Sequence, residues 1–332
     1  MAEYKEIRGT KIRNYTTNPD NPITGEVWYN ETDNVLKFQF PTVTTSGSWG
    51  TVTPVNSGRN NGGGFGIYTS ALFFGGTDGT NRAYTEFYNG TNWTEVNDLG
   101  SAKQGMGSFG AIGTAGLSVG APGSANVEVW NGTNWTEVNN LNTARDGQGS
   151  SKQSPSTSGM VFGGSITGTP SSTTEVWNGT NWTEVNDLNT ARNHPGGAGD
   201  TITAALAFGG KPTTAVTESW NGTNWTEVND LNTARQQFGS SGTATAALAF
   251  GGEAPPGKQA ITEQWNGTNW TEQNDLPTAL SDMSGCGTTT NSLSFGGSPP
   301  ASVADTNEWI VGVSVGAWSS GGALNTSREN IA

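Results

Sequence analysis

One hexapeptide, Asn-Gly-Thr-Asn-Trp-Thr, occurs five times in this chain, beginning at Asn89, Asn131, Asn178, Asn221 and Asn266. A unit that returns at near-constant spacing folds as one supersecondary piece, because each copy buries its apolar faces only against its neighbours. The surroundings repeat as well: an Arg, a run of Gly, Ser, Thr and Ala, then Phe-Gly-Gly, a variable stretch, Glu-x-Trp, the hexapeptide and Leu-Asn-Thr-Ala-Arg. The second Trp of each unit sets the register at Trp49, Trp93, Trp135, Trp182, Trp225, Trp270 and Trp318, with steps of 44, 42, 47, 43, 45 and 48 residues. At the two ends the hexapeptide is lost but the register survives. Val55-Asn56-Ser57-Gly58-Arg59 and Leu324-Asn325-Thr326-Ser327-Arg328 stand where Leu231-Asn232-Thr233-Ala234-Arg235 follows Trp225.

Steps of this size suit the blades of a β-propeller, four strands to a blade. Phe238 to Gly242 reads as a Gly/Ser-rich strand A, and Ala246 to Phe250, an apolar run ended by Gly251-Gly252, as a buried strand B. Thr262 to Trp265 reads as strand C and Asn269 to Glu272 as strand D, joined at Asn266-Gly267, where both residues tolerate the positive φ of a tight hairpin turn. Six strands B are expected, from Phe-Gly-Gly led by Gly75, Gly163, Gly209, Gly251 and Gly296 and from a degraded copy at Val119-Gly120-Ala121. The expectation is an all-β propeller over residues 45–332, with six A-to-D sets from Gly63 to Trp318. A strand from the N-terminal side, around Trp49, closes the ring and removes exposed edges; an incomplete seventh blade is the alternative.

Composition narrows the functional classes. With 49 Gly, 32% hydrophobic and 13% charged residues in 332, the chain suits short strands and tight turns rather than helices. The net charge of −13 argues against a phosphate backbone as partner, since that needs a cationic surface. Cys286 is the one cysteine and His194 the one histidine, so neither an internal disulfide nor a two-histidine metal site can form, and no cofactor is expected. No apolar run has the length of a membrane helix, and Met1 to Glu6 lacks the apolar core of a secretory leader, so a soluble chain made without export is expected.

Several coincident features in each unit make the repeat resemble the kelch repeat: the di-glycine ending strand B, an aromatic in strand C, Trp in strand D and Arg before the next unit. It departs in carrying Trp where kelch strand C usually has Tyr, and in its Asn-Gly-Thr-Asn turn. Residues 1–44 are expected to form a separate module in which Thr24 to Asn30 and Thr32 to Phe38 make a hairpin after the turn-rich Asn18 to Pro22. Its Gly-x-x-Trp-Tyr-Asn run, Gly25 to Asn30, is similar to a hairpin near the start of structural proteins of tailed bacteriophages, especially marine ones. Trp318 to Arg328 resembles runs in phage fibre-associated proteins. These resemblances imply a virion protein that forms a homo-oligomer and docks to other virion proteins through residues 1–44.

Each repeated element carries a structural reading beside a chemical one. The paired sequons of Asn-Gly-Thr-Asn-Trp-Thr shape a turn, since sugars are attached only in a secretory pathway. Trp93, Trp135, Trp182, Trp225 and Trp270 are read as inter-blade core rather than sugar-stacking platforms. Glu86, Glu128, Glu175, Glu218, Glu263 and Glu308 of strand C, with Arg59, Arg145, Arg192 and Arg235 before strand A, are read as structural ion pairs rather than catalytic groups. A copper radical oxidase needs more His, and sialidase boxes, a P-loop and a Gly-x-Ser-x-Gly elbow do not occur.

What varies is the connection from strand B to strand C. From the second Gly to the strand C Glu the distance is 10, 11, 8, 11 and 11 residues, while the two Trp of a full hairpin unit stay 5 apart. These loops carry Pro122, Pro170, Pro212, Pro255, Pro256, Pro299 and Pro300, and stiffened loops on a rigid ring suit recognition because little entropy is lost on binding. The candidate contact residues are Thr77, Asp78, Asn81, Arg82, Tyr84, Ser165, Thr167, Lys211, Glu253 and Lys258. The expected function is a non-enzymatic tail-fibre or receptor-binding component that touches a host-surface glycan or protein. A structural decoration or adaptor protein and a glycan-degrading enzyme are the alternatives.

Overall fold

Gly-Gly and Asn-Gly punctuation sets where the chain reverses, and the strands between follow the expected order. The computed structural model describes residues 13–16, 27–30, 32, 35–38, 47–298 and 301–311, all strand, turn or irregular structure. In the fifth blade, Gly239–Thr243, Ala246–Phe250, Thr262–Trp265 and Trp270–Glu272 form an antiparallel sheet in the order A-B-C-D. Its register sets Ala249 opposite Glu263 and Trp265 opposite Trp270. The first blade (Gly63–Ile67, Ser70–Phe74, Thr85–Tyr88, Trp93–Val96) repeats this arrangement. So does the fourth (Gly196–Thr201, Ala204–Phe208, Thr217–Trp220, Trp225–Val228). The third has a short strand A, Gly149–Ser150, before Gly159–Phe162, Thr174–Trp177 and Trp182–Val185.

The protein is a six-bladed β-propeller. Its A strands touch in a closed cycle, each blade against the next and the sixth against the first. The sixth sheet is Ser284–Gly287, Asn291–Phe295, Thr306–Ile310 and, as strand D, Ser48–Thr51, with Trp49 opposite Trp309. The Trp49 segment therefore closes the ring, and the set expected to run to Trp318 ends instead on a strand from the other end of the chain. Residues 312–332, counted in the propeller from the sequence, lie outside the described residues. In the N-terminal module Val27–Asn30 pairs antiparallel with Val35–Phe38, as expected, and Arg13–Tyr15 adds a parallel strand.

One joint recurs between blades. The Trp of five of the six strands D lies edge-on or tilted against the Phe that ends strand B of the preceding blade: Trp135 on Phe74 at 4.7 Å, Trp225 on Phe162 at 4.9 Å, Trp270 on Phe208 at 4.8 Å, Trp49 on Phe250 at 4.9 Å and Trp93 on Phe295 at 5.2 Å. Each pair is worth about 0.5–1.5 kcal/mol beyond burial. The same indole N–H donates to the Thr that opens the preceding strand C, as Trp225 Nε1 does to Thr174 Oγ1 at 3.1 Å and Trp270 Nε1 to Thr217 Oγ1 at 3.1 Å.

The turn between strands C and D differs from expectation. Only its Gly is left-handed, φ 92° at Gly90, while Asn89 has ordinary backbone and its Oδ1 accepts from the N–H of Thr91 and of Asn92, both at 2.9 Å. A side-chain cap thus replaces the second positive φ, and the loop spans four residues between Tyr88 and Trp93.

The second blade (Gly107–Ile112, Ala115–Ala121, Ser124–Trp130, Trp135–Val138) breaks the joint. Val127 stands in its strand C at the register of the Thr of the other blades, and Trp182 Nε1 of the third blade is buried without a hydrogen-bond partner. Val127→Thr supplies the missing acceptor. Equilibrium unfolding in urea is expected to show a gain of about 1 kcal/mol, and a loss instead would mean that the hydroxyl does not reach the indole.

Candidate functional site

On the face of the ring that carries the loops between strands B and C, each loop rises from an anchored base. The Arg before strand A reaches the strand C carboxylate of its own blade: Arg59 to Glu86 at 2.5 Å, Arg145 to Glu175 at 2.6 Å, Arg192 to Glu218 at 2.9 Å and Arg235 to Glu263 at 3.1 Å, all buried. Lys103 takes this role for Glu128 at 2.8 Å. The second carboxylate oxygen accepts from the backbone and side chain of the Asn three residues before the Arg, as Glu263 Oε2 does from Asn232 N at 2.7 Å and Nδ2 at 2.8 Å.

The guanidinium also holds both ends of the loop. Arg235 donates to Ala249 and Gly251 carbonyls where strand B ends and to the Ile261 carbonyl where the loop rejoins strand C, at 3.2, 3.2 and 2.6 Å. Burial pulls these arginines below their ordinary value, Arg235 to about 10, which leaves Arg235 charged at neutral pH. Buried pairs with this many hydrogen bonds are structural, and the middle of each loop is free to vary without moving its ends.

The sixth blade corrects one assignment. Asn307, not Glu308, stands at the carboxylate register, opposite Ser294 as Glu263 stands opposite Ala249, and Leu280 occupies the place of the Arg. Glu308 falls one position on and so faces the other side of the sheet, where burial raises its pKa. Both partners of the pair are replaced together.

The expected contact residues fall into two groups. In the first blade Thr77 bridges to Asn60 and Asn81, exposed Asp78 pairs with Arg82 at 2.9 Å, and Arg82 lies over the Tyr84 ring at 5.5 Å. Ser302 of the sixth blade's loop donates to Thr77 O at 3.1 Å, and Lys258 of the fifth donates to Ser298 Oγ at 3.1 Å. Glu253 pairs with Lys258 in a small hairpin, Glu253–Ala254 with Gly257–Lys258. The loops of blades five, six and one thus lean on one another.

Across blades two, three and four the rim opens into a groove of about 560 Å³ lined by Pro122, Asp146, Ser165, Pro170, Lys211 and Pro212, with Gly168 and Asn193. Ser165–Ile166 and Thr169–Pro170 form a second small hairpin whose turn, Thr167-Gly168, has φ 50° and 88°. The second blade makes room. Its B and C strands join through Pro122-Gly123 alone, Ala121 facing Ser124, so no tall loop stands there. Burial raises the Asp146 pKa and lowers that of His194, and Asn193 Oδ1 is buried without a partner. The groove offers flat proline faces, one cation at Lys211, one carboxylate and free amide and hydroxyl groups. That is a surface for a polar ligand with apolar patches.

Of the sequence candidates, Ser165 and Lys211 meet at this groove, Thr167 sits in the turn above it, and Thr77, Asp78, Asn81, Arg82, Tyr84, Glu253 and Lys258 do not line it. Asp146 and Asn193 were missed, although both follow directly on the repeat Arg. No protein-family profile matches the chain, and no curated protein does.

A double-mutant cycle tests the anchor. Leu280→Arg or Asn307→Glu alone buries an unpaired charge and is expected to destabilise by about 3 kcal/mol, whereas the double variant rebuilds the pair of the other blades and recovers most of the loss; Glu175→Gln is expected to cost about 3–5 kcal/mol. Additive losses in the cycle, read from urea midpoints, would show that the site does not accept the pair.

Proposed function

We propose that this chain is a non-enzymatic recognition protein, a tail-fibre or receptor-binding component of a tailed-phage virion, that presents the rim between strands B and C to a host-surface glycan or protein. One observation carries the reading: the two faces of the ring are unlike. On one, five copies of the same Asn-Gly-Thr-Asn turn repeat with the same side-chain cap. On the other, connections of different length and shape stand on Arg- or Lys-anchored bases around a groove. Variation confined to one face of a rigid scaffold is what a binding surface needs.

The repeated acidic and basic residues support a binding role over catalysis, because they are spent in buried structural pairs rather than aimed into the groove. The virion setting rests on the resemblance of the Gly25 to Phe38 hairpin and the Trp318 to Arg328 run, with residues 1–44 as the docking module.

The test is binding of the full chain to arrays of bacterial surface glycans and to intact bacterial cells. Replacing Ser165 to Thr174 by the shorter connection of the fourth blade, together with Lys211→Ala, is expected to weaken binding at least tenfold while thermal unfolding is retained. Binding that survives both changes would put recognition elsewhere, and release of sugar from the array would make the protein an enzyme. A rim variant that changes only the stability of a virion would favour the decoration or adaptor role.

A further inference from the structure

At one level of the central channel five blades carry a glycine and the third a lysine. At the mouth, one residue of each blade is left-handed: Asn61, Gly105, Gly147, His194, Gln237 and Asp282. Their backbones link around the ring, Gly105 N to Asn61 O, Gly147 N to Gly105 O, His194 N to Gly147 O, Asp282 N to Gln237 O and Asn61 N to Asp282 O, at 2.7 to 2.9 Å. Five residues further along the chain stand Gly66, Gly110, Gly199, Gly242 and Gly287, and in the third blade Lys152, in a turn just past the short strand A. Where the other blades present no side chain, this one sends a lysine into the channel.

The segment around Lys152 is a floor. Gly110 N donates to Lys152 O at 3.3 Å, Gln153 N to Gly199 O at 2.8 Å and Gln153 Nε2 to Gly66 O at 3.1 Å, so it is tied to blades two, four and one at the level of the glycines. Above it lies a cavity of about 100 Å³ walled by Ser108, Ser240, Ser284 and glycine backbone.

Lys152 Nζ lies 3.4 Å from Ser108 Oγ and, among the described residues, forms no ion pair. None of the titratable groups around it is paired with it, and the one carboxylate on the cavity, that of Asp282, stands at the mouth. Cys286, from the sixth blade, is buried with its thiol pushed up to about 12 and stays neutral. His194, at the mouth on the fourth blade, has its pKa lowered by burial, which disfavours the charged form. Asp282, also at the mouth, already accepts from Gln237 Nε2 at 2.6 Å and from Ser281 Oγ at 2.7 Å. Blades one, two and five present glycine, serine, amide and apolar groups.

We propose that the central channel binds one small oxyanion of carboxylate size, with the Lys152 ammonium as its counter-charge and the Ser284 hydroxyl as a further donor, the hydroxyls of Ser108 and Ser240 being already given to the Gly64 and Gly197 carbonyls. Size sets the class. Six positions, five neighbouring pairs of which are one inter-strand hydrogen bond apart, make at a spacing of about 4.8 Å a hexagon of about the same radius, which leaves a clear opening of roughly 6 Å between backbones. A formate or acetate passes and a sugar ring does not, and the cavity holds about three waters that such an anion displaces.

The pH dependence follows. Burial lowers Lys152 from 10.5 to about 8. Below pH 8 the ammonium is charged in the fold and its burial costs stability, which a bound anion offsets. Between about 8 and 10.5 only the unfolded chain holds the proton, so anion-free stability rises with pH and the effect of the anion fades.

The experiment is thermal unfolding of the full chain in sodium formate or acetate at constant ionic strength, against a morpholine sulfonate too wide for the opening. At pH 7 the small carboxylates are expected to raise Tm saturably by at least about 3 °C, with the rise gone at pH 10. Lys152→Met is expected to lose the rise and to unfold at higher temperature than the parent in the absence of small anions. Line broadening of isotope-labelled formate by the unaltered protein, present at pH 7 and lost at pH 10, reads the same site without a variant. A formate effect that persists in Lys152→Met, one that does not change with pH, or no saturable effect at all would overturn the proposal.

Discussion

The contact on which the ring depends is the indole of strand D laid against the phenylalanine of the preceding blade. A four-stranded sheet has two faces to cover, and a chain with 32% hydrophobic residues cannot bury them all with aliphatic side chains. Placing one large aromatic at a fixed register per blade concentrates burial at the joint, and the indole N–H to Thr bond fixes the angle at which the blades meet. Once that angle is set, six sheets return on themselves, and the strand containing Trp49 takes the last position because its indole finds Phe250 and the Thr262 hydroxyl as the others do.

The buried Arg–Glu pairs do a second job. Their net worth in stability is modest against an apolar alternative, but they satisfy carbonyls at both ends of a connection whose interior makes few fixed demands. Arg235 alone covers Ala249, Gly251 and Ile261. A loop with anchored ends can shorten to Pro122-Gly123 or grow into the hairpin around Thr167-Gly168 without disturbing the sheet below. This separates the scaffold from its rim, and it explains why one face of so repetitive a sequence has room for a groove.

Much of this was legible in the residues because it obeys local rules. Apolar runs ended by Gly-Gly are strands B, paired aromatics around Asn-Gly are the outer hairpin, and the strand closing the ring kept the Leu-Asn-Thr-Ala-Arg register after losing its hexapeptide. The failures were of two kinds. Residue type alone puts Glu308 in the carboxylate series, and a slip of one position in a strand reverses the face, so only the pairing of Asn307 with Ser294 reveals the substitution. The groove and the channel are relations between blades. That Pro122, Pro170 and Pro212 converge, or that Lys152 shares a level with five glycines, follows from the ring and from no single unit.

In a ring of near-identical blades the informative residues are those that depart from the repeat, and the departures here differ in their physics. Val127 leaves an indole N–H unsatisfied and brings nothing in exchange within its joint. Leu280 and Asn307 depart as a pair, which keeps the sixth blade free of a buried unmatched charge. Lys152 does the opposite: it introduces a charge where glycine serves five other blades, and the fold holds its backbone from three sides. A cation kept in place at that cost, with its ammonium turned into a space of molecular size, is the departure that packing alone does not account for.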